Sequence, residues 1–155
     1  MPTTSAVTGA PTSARISASS SRSNAAASRR SKKLDEASAA KGKGAVAAYA
    51  LRAQVALGSG DYASAVDLAE KAAEESPQEA NVRSLLGNAY FAAGRFASAE
   101  AAYGDALALM PNQPDVILKR ALVQIAQGKK DEAVSLLRAA QRFIDPADYG
   151  LALAL

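Results

Sequence analysis

The chain has 155 residues, 49% of them hydrophobic but only 5% aromatic, and it contains neither cysteine nor histidine. Disulfides, thiolate metal sites and a lipid-bearing cysteine are therefore excluded, and so are the usual general base, the serine-type triad and imidazole ligation of a metal. The net charge of +3 is unevenly placed: residues 1–45 carry eight Lys and Arg against Asp35 and Glu36, whereas 46–155 carry ten against thirteen Asp and Glu.

Residues 1–33 are mostly Ser, Ala, Thr and Arg, with Val7 and Ile16 the large aliphatic side chains. Such a stretch cannot bury enough surface to offset its ordering entropy and predicts a disordered tail. It lacks the apolar centre of a secretory signal, and the chain has no apolar run long enough to cross a bilayer. A cytoplasmic location is expected, with the periplasm or cell envelope as the alternative if the true start lies upstream. The cluster Arg29-Arg30-Ser31-Lys32-Lys33 has the charge for nucleic acid or an anionic membrane. No aromatic residues interleave it and no apolar face accompanies it, so it reads as a solvated linker, and neither partner is expected. Residues 34–43 begin a short helix that Gly42 and Gly44 interrupt, which sets the tail at 1–44.

From there on the apolar spacing is helical. A first helix over 45–57 runs through Tyr49, Ala53 and Ala56 and stops at Gly58-Ser59-Gly60. Asp61 has the chemistry of an N-cap for a second helix over 62–75, with Ala65, Leu68, Ala69 and Ala72 facing inward and Ser76-Pro77 closing it. The pattern recurs over 79–93 and 96–110, then over 115–127 and 130–143. Gly60, Gly94 and Gly128 are 34 residues apart; so are Ala65, Ala99 and Ala133, and Ala72, Ala106 and Ala140. Pro77 and Pro111 keep the step, and Pro146 comes one residue late. Each unit is a pair of antiparallel helices that cannot bury its stripes alone, so the units must stack. The boundaries fall at about 46–79, 80–113 and 114–147, followed by the start of a further helix over 147–155.

A period of 34 with Leu86, Gly87, Tyr90, Ala99, Tyr103, Ala106 and Pro111 in these slots resembles the tetratricopeptide repeat (TPR) family. The resemblance implies an all-α, right-handed α-solenoid of three helix-turn-helix repeats behind the tail, serving as a non-catalytic scaffold or adaptor for a protein or peptide. An accessory segment of a larger envelope, secretion or enzyme assembly is the alternative. The closing Asp148-Tyr149-Gly150-Leu151-Ala152-Leu153-Ala154-Leu155 is similar to bacterial TPR proteins of the cell envelope whose arrays continue past such a segment. Leu151, Leu153 and Leu155 supply no polar outer face, so the chain is expected to be a fragment of a longer array, or else to dock or self-associate through that open end.

In TPR proteins the first helix of each pair lines a concave groove, which implies outward positions at Ala50, Leu51, Gln54 and Leu57, then Asn81, Ser84, Leu85, Asn88 and Phe91, then Asp115, Leu118, Lys119, Leu122 and Ile125. The candidates for peptide binding among these are Gln54, Leu57, Leu85, Asn88, Phe91, Lys119, Leu122 and Ile125. One branch of the family clamps a C-terminal carboxylate with five basic and amide residues. Those slots here hold Ala50, Gln54, Leu85, Asp115 and Lys119, and a single match in five argues against a clamp. What remains is a mostly apolar groove with a few amides, suited to a peptide with aliphatic anchors, Asn88 holding its backbone and Phe91 an anchoring side chain. Arg52 and Arg120 stand where Leu86 stands in the middle repeat, so their stems should pack while the heads reach the groove edge or a carboxylate. Asp67, Glu70, Glu74, Glu75 and Lys71 read as a solvated helix face. Each turn glycine is preceded by a helix and not by a strand, so no phosphate-binding loop is present, and neither a cofactor, a metal nor catalysis is expected.

Overall fold

Gly60, Gly94 and Gly128 adopt φ of 80°, 73° and 79°, a left-handed conformation that ends a helix without a Cβ clash. The next residue of each turn then bonds back to the carbonyl five positions earlier: Asp61 to Ala56 at 2.9 Å, Arg95 to Tyr90 at 2.8 Å and Lys129 to Gln124 at 2.8 Å. One turn chemistry used three times reverses the chain three times in the same way, and the 34-residue period becomes a repeated tertiary unit.

The computed structural model describes residues 24–34, 36 and 42–155. In chain order the elements are α1 (24–34), α2 (Lys43–Ser59), α3 (Tyr62–Glu75), α4 (Ala80–Ala92), α5 (Phe96–Leu109), α6 (Pro114–Ala126), α7 (Lys130–Ala140), a 3₁₀ turn (Gln141–Phe143) and α8 (Pro146–Ala154). Helices α2/α3, α4/α5 and α6/α7 form antiparallel pairs, and α3 on α4 and α5 on α6 join each pair to the next in a right-handed α-solenoid. Asp61 caps α3 by accepting from the Ser64 amide at 3.2 Å, and Asp145 caps α8 through the Ala147 amide at 2.8 Å.

The small residues after each turn are enclosed within their pairs. Ala65 and Ala99 are 0% exposed and Ala133 is 1% exposed, so no side-chain volume is left there. In the middle pair there is no room for a side chain at Gly87 either, since a Cβ added there would lie 2.6 Å from the Tyr103 ring. Tyr103 fills the space that Gly87 vacates.

Most of the tail expected over 1–44 lies outside the described residues. Within it, 24–34 form an exposed helix with Leu34 half-buried, more local structure than a composition argument suggests. The reason is local: Ala25, Ala26, Ala27, Arg29, Arg30, Lys32, Lys33 and Leu34 are all good helix formers. At the other end, α8 rests on α6 and α7 through buried Ala152 and half-buried Tyr149, leaving Leu151, Leu153 and Leu155 exposed.

Candidate binding groove

The first helices of the pairs, α2, α4 and α6, share one face of the array. On α4 the positions Asn81, Ser84, Leu85 and Asn88 recur at helical spacing and open into a trough of two connected parts. One, of about 460 Å³, lies between α2 and α4 and includes Lys43, Ala50, Ser76 and Glu79. The other, of about 370 Å³, lies between α4 and α6 and includes Ser84, Asn88, Gln113 and Asp115. Gln54, Asn81 and Leu85 belong to both, so the trough runs across all three repeats.

Gln54, Leu85 and Asn88 thus come together in the trough. Leu85 is 6% exposed and belongs mainly to the core shared by α2, α3 and α4, showing only its edge. Leu57 packs against that same core, and Ile125 packs against the cluster of α6, α7 and α8. Phe91 is 41% exposed, with its ring tilted on Phe96 at a centroid distance of 5.6 Å. Leu122 is also exposed. Phe91 follows Asn88 by one turn along α4, but Phe91, Lys119, Leu122 and Ile125 do not line the trough, whose candidate residues are Gln54, Leu85 and Asn88. Leu51 faces elsewhere, into a cleft beside α1.

Asn88 is committed to the core as well as to the trough. The Tyr103 hydroxyl donates to its Oδ1 at 2.7 Å. Tyr103 is 1% exposed, and burial, with a smaller push from the Asp115 charge, raises its hydroxyl pKa, so it stays a donor. The Asn88 oxygen is therefore engaged, and the amide nitrogen is the group that remains for a ligand.

Lys119 donates to Asp115 at 2.7 Å, one helical turn away and largely in solvent, so the pair contributes about 0–1 kcal/mol and leaves the α6 edge nearly neutral. Arg120 does not reach into the trough. Its guanidinium lies over Gly104 of α5, where an added Cβ would be 3.8 Å from Cζ, so the packed-stem expectation describes it better than the groove-edge one. Between α5 and α6, Glu100 accepts from Gln124 at 3.1 Å, Gln127 at 2.9 Å and Lys129 at 2.9 Å. The Lys129 hydrogen bond, supported by both glutamines, holds the Glu100 carboxyl at about 2 against an ordinary 4.5. This network joins the second repeat to the third.

Ser76, Glu79, Asn112 and Gln113 also line the trough and were not among the groove positions read from the sequence. They sit in the short connections between pairs, and the signal for them was the polar pair Asn112-Gln113 held between Pro111 and Pro114. Among the described residues no group of three or more Asp or Glu is placed to hold a metal ion, and no helix is long and apolar enough to cross a membrane.

A family model described as tetratricopeptide repeat matches residues 56–104 and again 91–155. Among solved structures, MamA of AMB-1 is 31% identical with a TM-score of 0.58, the match covering 63% of this chain and 58% of that one. This chain therefore spans little more than half the length of that relative. The TPR2B domain of yeast Sti1 in its pHsp70 complex is 23% identical with a TM-score of 0.59, covering 61% of this chain and 76% of that one. The Arabidopsis OM64 TPR domain is 16% identical with a TM-score of 0.64, covering 69% and 89%. These last two share the fold. No curated protein matches the chain. The two matched spans together run without a break from residue 56 to residue 155, across the glycine turns and the alanine crossings described above, and the chain belongs to the tetratricopeptide repeat family.

Proposed function

We propose that this chain is a non-catalytic protein-interaction scaffold that holds an extended segment of a partner protein in the trough across α2, α4 and α6. The observation that carries this reading is the continuity of the trough through Gln54, Asn81 and Leu85, which gives one uninterrupted surface on three successive repeats. The Sti1 structures, of TPR domains in complexes with pHsp70 and pHSP90, give the fold a precedent for binding protein partners. The ligand differs from one held by a carboxylate clamp. Gln54, Asn81, Asn88 and Gln113 offer amides, Asp115 is already paired with Lys119, and Lys43 and Glu79 offset one another. A segment of low net charge, held through its backbone and anchored by an apolar side chain near Phe91, suits that lining.

The experiment is a screen of an unbiased peptide library against the purified chain, with hits titrated calorimetrically against Ser84→Trp and Asn88→Asp. Ser84→Trp fills the trough and should weaken binding by at least about tenfold. Asn88→Asp keeps the acceptor for Tyr103 but removes the free amide donor, and should weaken backbone-held peptides while leaving the fold intact. Hits that bind both variants as tightly as the parent would remove the groove from the account. The exposed Leu151, Leu153 and Leu155 on α8 favour a second reading, an accessory segment that seats in a larger assembly through that end.

A further inference from the structure

In the stacked pairs each first helix is sealed by the second helix of the pair before it. Val55, Ala89 and Val123 are equivalent by the 34-residue register; Ala89 beneath α3 and Val123 beneath α5 are each 0% exposed. Val55 is 61% exposed. Leu51 is likewise 48% exposed where its counterpart Leu85 is 6%, although the third member of that series, Lys119, keeps 34% of its side chain exposed, so the comparison rests on Val55. The leading face of the first repeat is thus a third copy of a face that twice in this chain is covered by a helix.

A helix lies beside it. Ala27, Arg30, Ser31 and Leu34 of α1, spaced as one helical stripe, form one wall of a cleft of about 560 Å³ whose opposite wall includes Leu51, Val55 and Leu68. The stripe suits that wall. Ala27 and Ser31 are small enough for close approach, Leu34 is apolar and already half-buried, and Arg30 shares the cleft with the carboxylate of Asp61. Residues 24–33 are all exposed and Leu34 alone is half-buried, so α1 lies beside the cleft without sealing it, its charged Arg29, Lys32 and Lys33 on the side away from the stripe. The tail cluster that composition alone marks as a linker therefore carries a face complementary to an uncovered apolar surface of the first repeat.

We propose that α1 is a detachable N-terminal cap, closing on the leading face of the first repeat in the place that α3 and α5 occupy for the following repeats. In the structure α1 stands open beside this face, with Leu51 and Val55 still exposed; closing would cover Leu51, Val55 and Leu68, and displacement leaves them as a surface able to receive another helix. This inference does not depend on the concave trough.

Because the native chain has no cysteine, introduced pairs report this contact directly. Ser31→Cys with Val55→Cys places both thiols on the cleft walls, and Arg29→Cys with Val55→Cys is the control, with residue 29 turned to the opposite side of α1. The cap predicts an intramolecular crosslink under mild oxidation at least about tenfold faster for the first pair, and adding Leu34→Asp should bring that rate down to the control's. Equal rates for the two pairs, or no effect of Leu34→Asp, would overturn it. Crosslinks that form between chains would overturn it in favour of a second copy on this face. Amide exchange in the full chain gives an independent reading: Leu34→Asp should speed exchange over 24–34 and leave 80–109 unchanged, and equal protection in parent and variant would also overturn the cap.

Discussion

Replacing Asn88 by alanine should destabilise the fold even if no ligand ever touches it. Tyr103 is 1% exposed and its hydroxyl has Asn88 Oδ1 as its acceptor at 2.7 Å, so the variant strands a buried donor. Such an orphan costs about 1–3 kcal/mol, which for a domain of this size lowers Tm by about 4–12 °C. Tyr103→Phe removes the other partner, but the Asn88 oxygen it frees is only half-buried and can take a water, so it should cost about 0.5–1.5 kcal/mol. The double variant should then be more stable than Asn88→Ala alone, with a coupling of about 1 kcal/mol or more in a denaturant-melt cycle. Additive single effects would refute the hydrogen bond and with it the dual role of Asn88. The consequence for function is practical: lost binding in Asn88→Ala cannot be assigned to the groove until its stability is known, whereas Asn88→Asp keeps the acceptor.

Other outcomes follow from the same geometry. Gly87→Ala forces a Cβ to 2.6 Å from the Tyr103 ring and should cost about 1–3 kcal/mol by thermal melting, with Tyr103→Leu in the same chain recovering part of it. Ala99→Leu, at a fully buried crossing, should cost a similar amount, and an unchanged Tm would show that the crossing lies elsewhere. The Glu100 carboxyl is held at about 2 against 4.5, so its contribution is complete above about pH 4.5 and is lost as pH falls toward 2. Between those limits the parent should lose about 1–3 kcal/mol more than Glu100→Gln, read as the difference between their acid melts. Light scattering across a concentration series should show association that Leu151→Ser with Leu153→Ser abolishes; a monomer at every concentration would mean that the exposed leucines of α8 do not pair copies.

The fold was legible because its determinants are local and repeated. A left-handed glycine and a buried alanine at fixed spacing fix each turn and each crossing, and both can be seen in one dimension. Side-chain partners between elements were not legible. Tyr103 meets Asn88 across a pair, and Glu100 gathers Gln124, Gln127 and Lys129 from 24 to 29 residues away. Those meetings depend on how the helices of a pair are rotated on each other and how one pair sits on the next, which periodicity leaves open. The groove was half legible for the same reason: helix spacing puts Asn81, Ser84, Leu85 and Asn88 on one face, but which end of that face opens into a trough depends on Ser76, Glu79 and Gln113 in the connections. Arg120 and Gln124 look like misplaced polar residues in the sequence until α5 supplies Gly104 and Glu100 beside them. The helix at 24–34 escaped notice because low hydrophobicity speaks against independent burial, and says little about a helix with a neighbouring surface to lean on.

The two joints of the array are built differently, and this bears on the order in which it would come apart under load. The joint between the first and second repeats is packed largely with alanine, valine and leucine, and polar bonds cross it from the Tyr90 hydroxyl to Glu70 at 2.7 Å and from the Arg83 guanidinium to the Pro77 carbonyl at 3.2 Å. The joint between the second and third packs Ala99, Tyr103 and Ala106 on Val116 and Val123, and most of its polar bonds converge on the single carboxylate of Glu100. In a chain of units that touch only their neighbours, the weakest joint yields first. Protonating the Glu100 carboxylate weakens three bonds of the second joint at once, whereas the first joint has one bond to a carboxylate and one to a backbone carbonyl, so acid would shift the preferred breaking point toward the C-terminal end, turning a uniform-looking stack into one whose mechanical seam moves with pH.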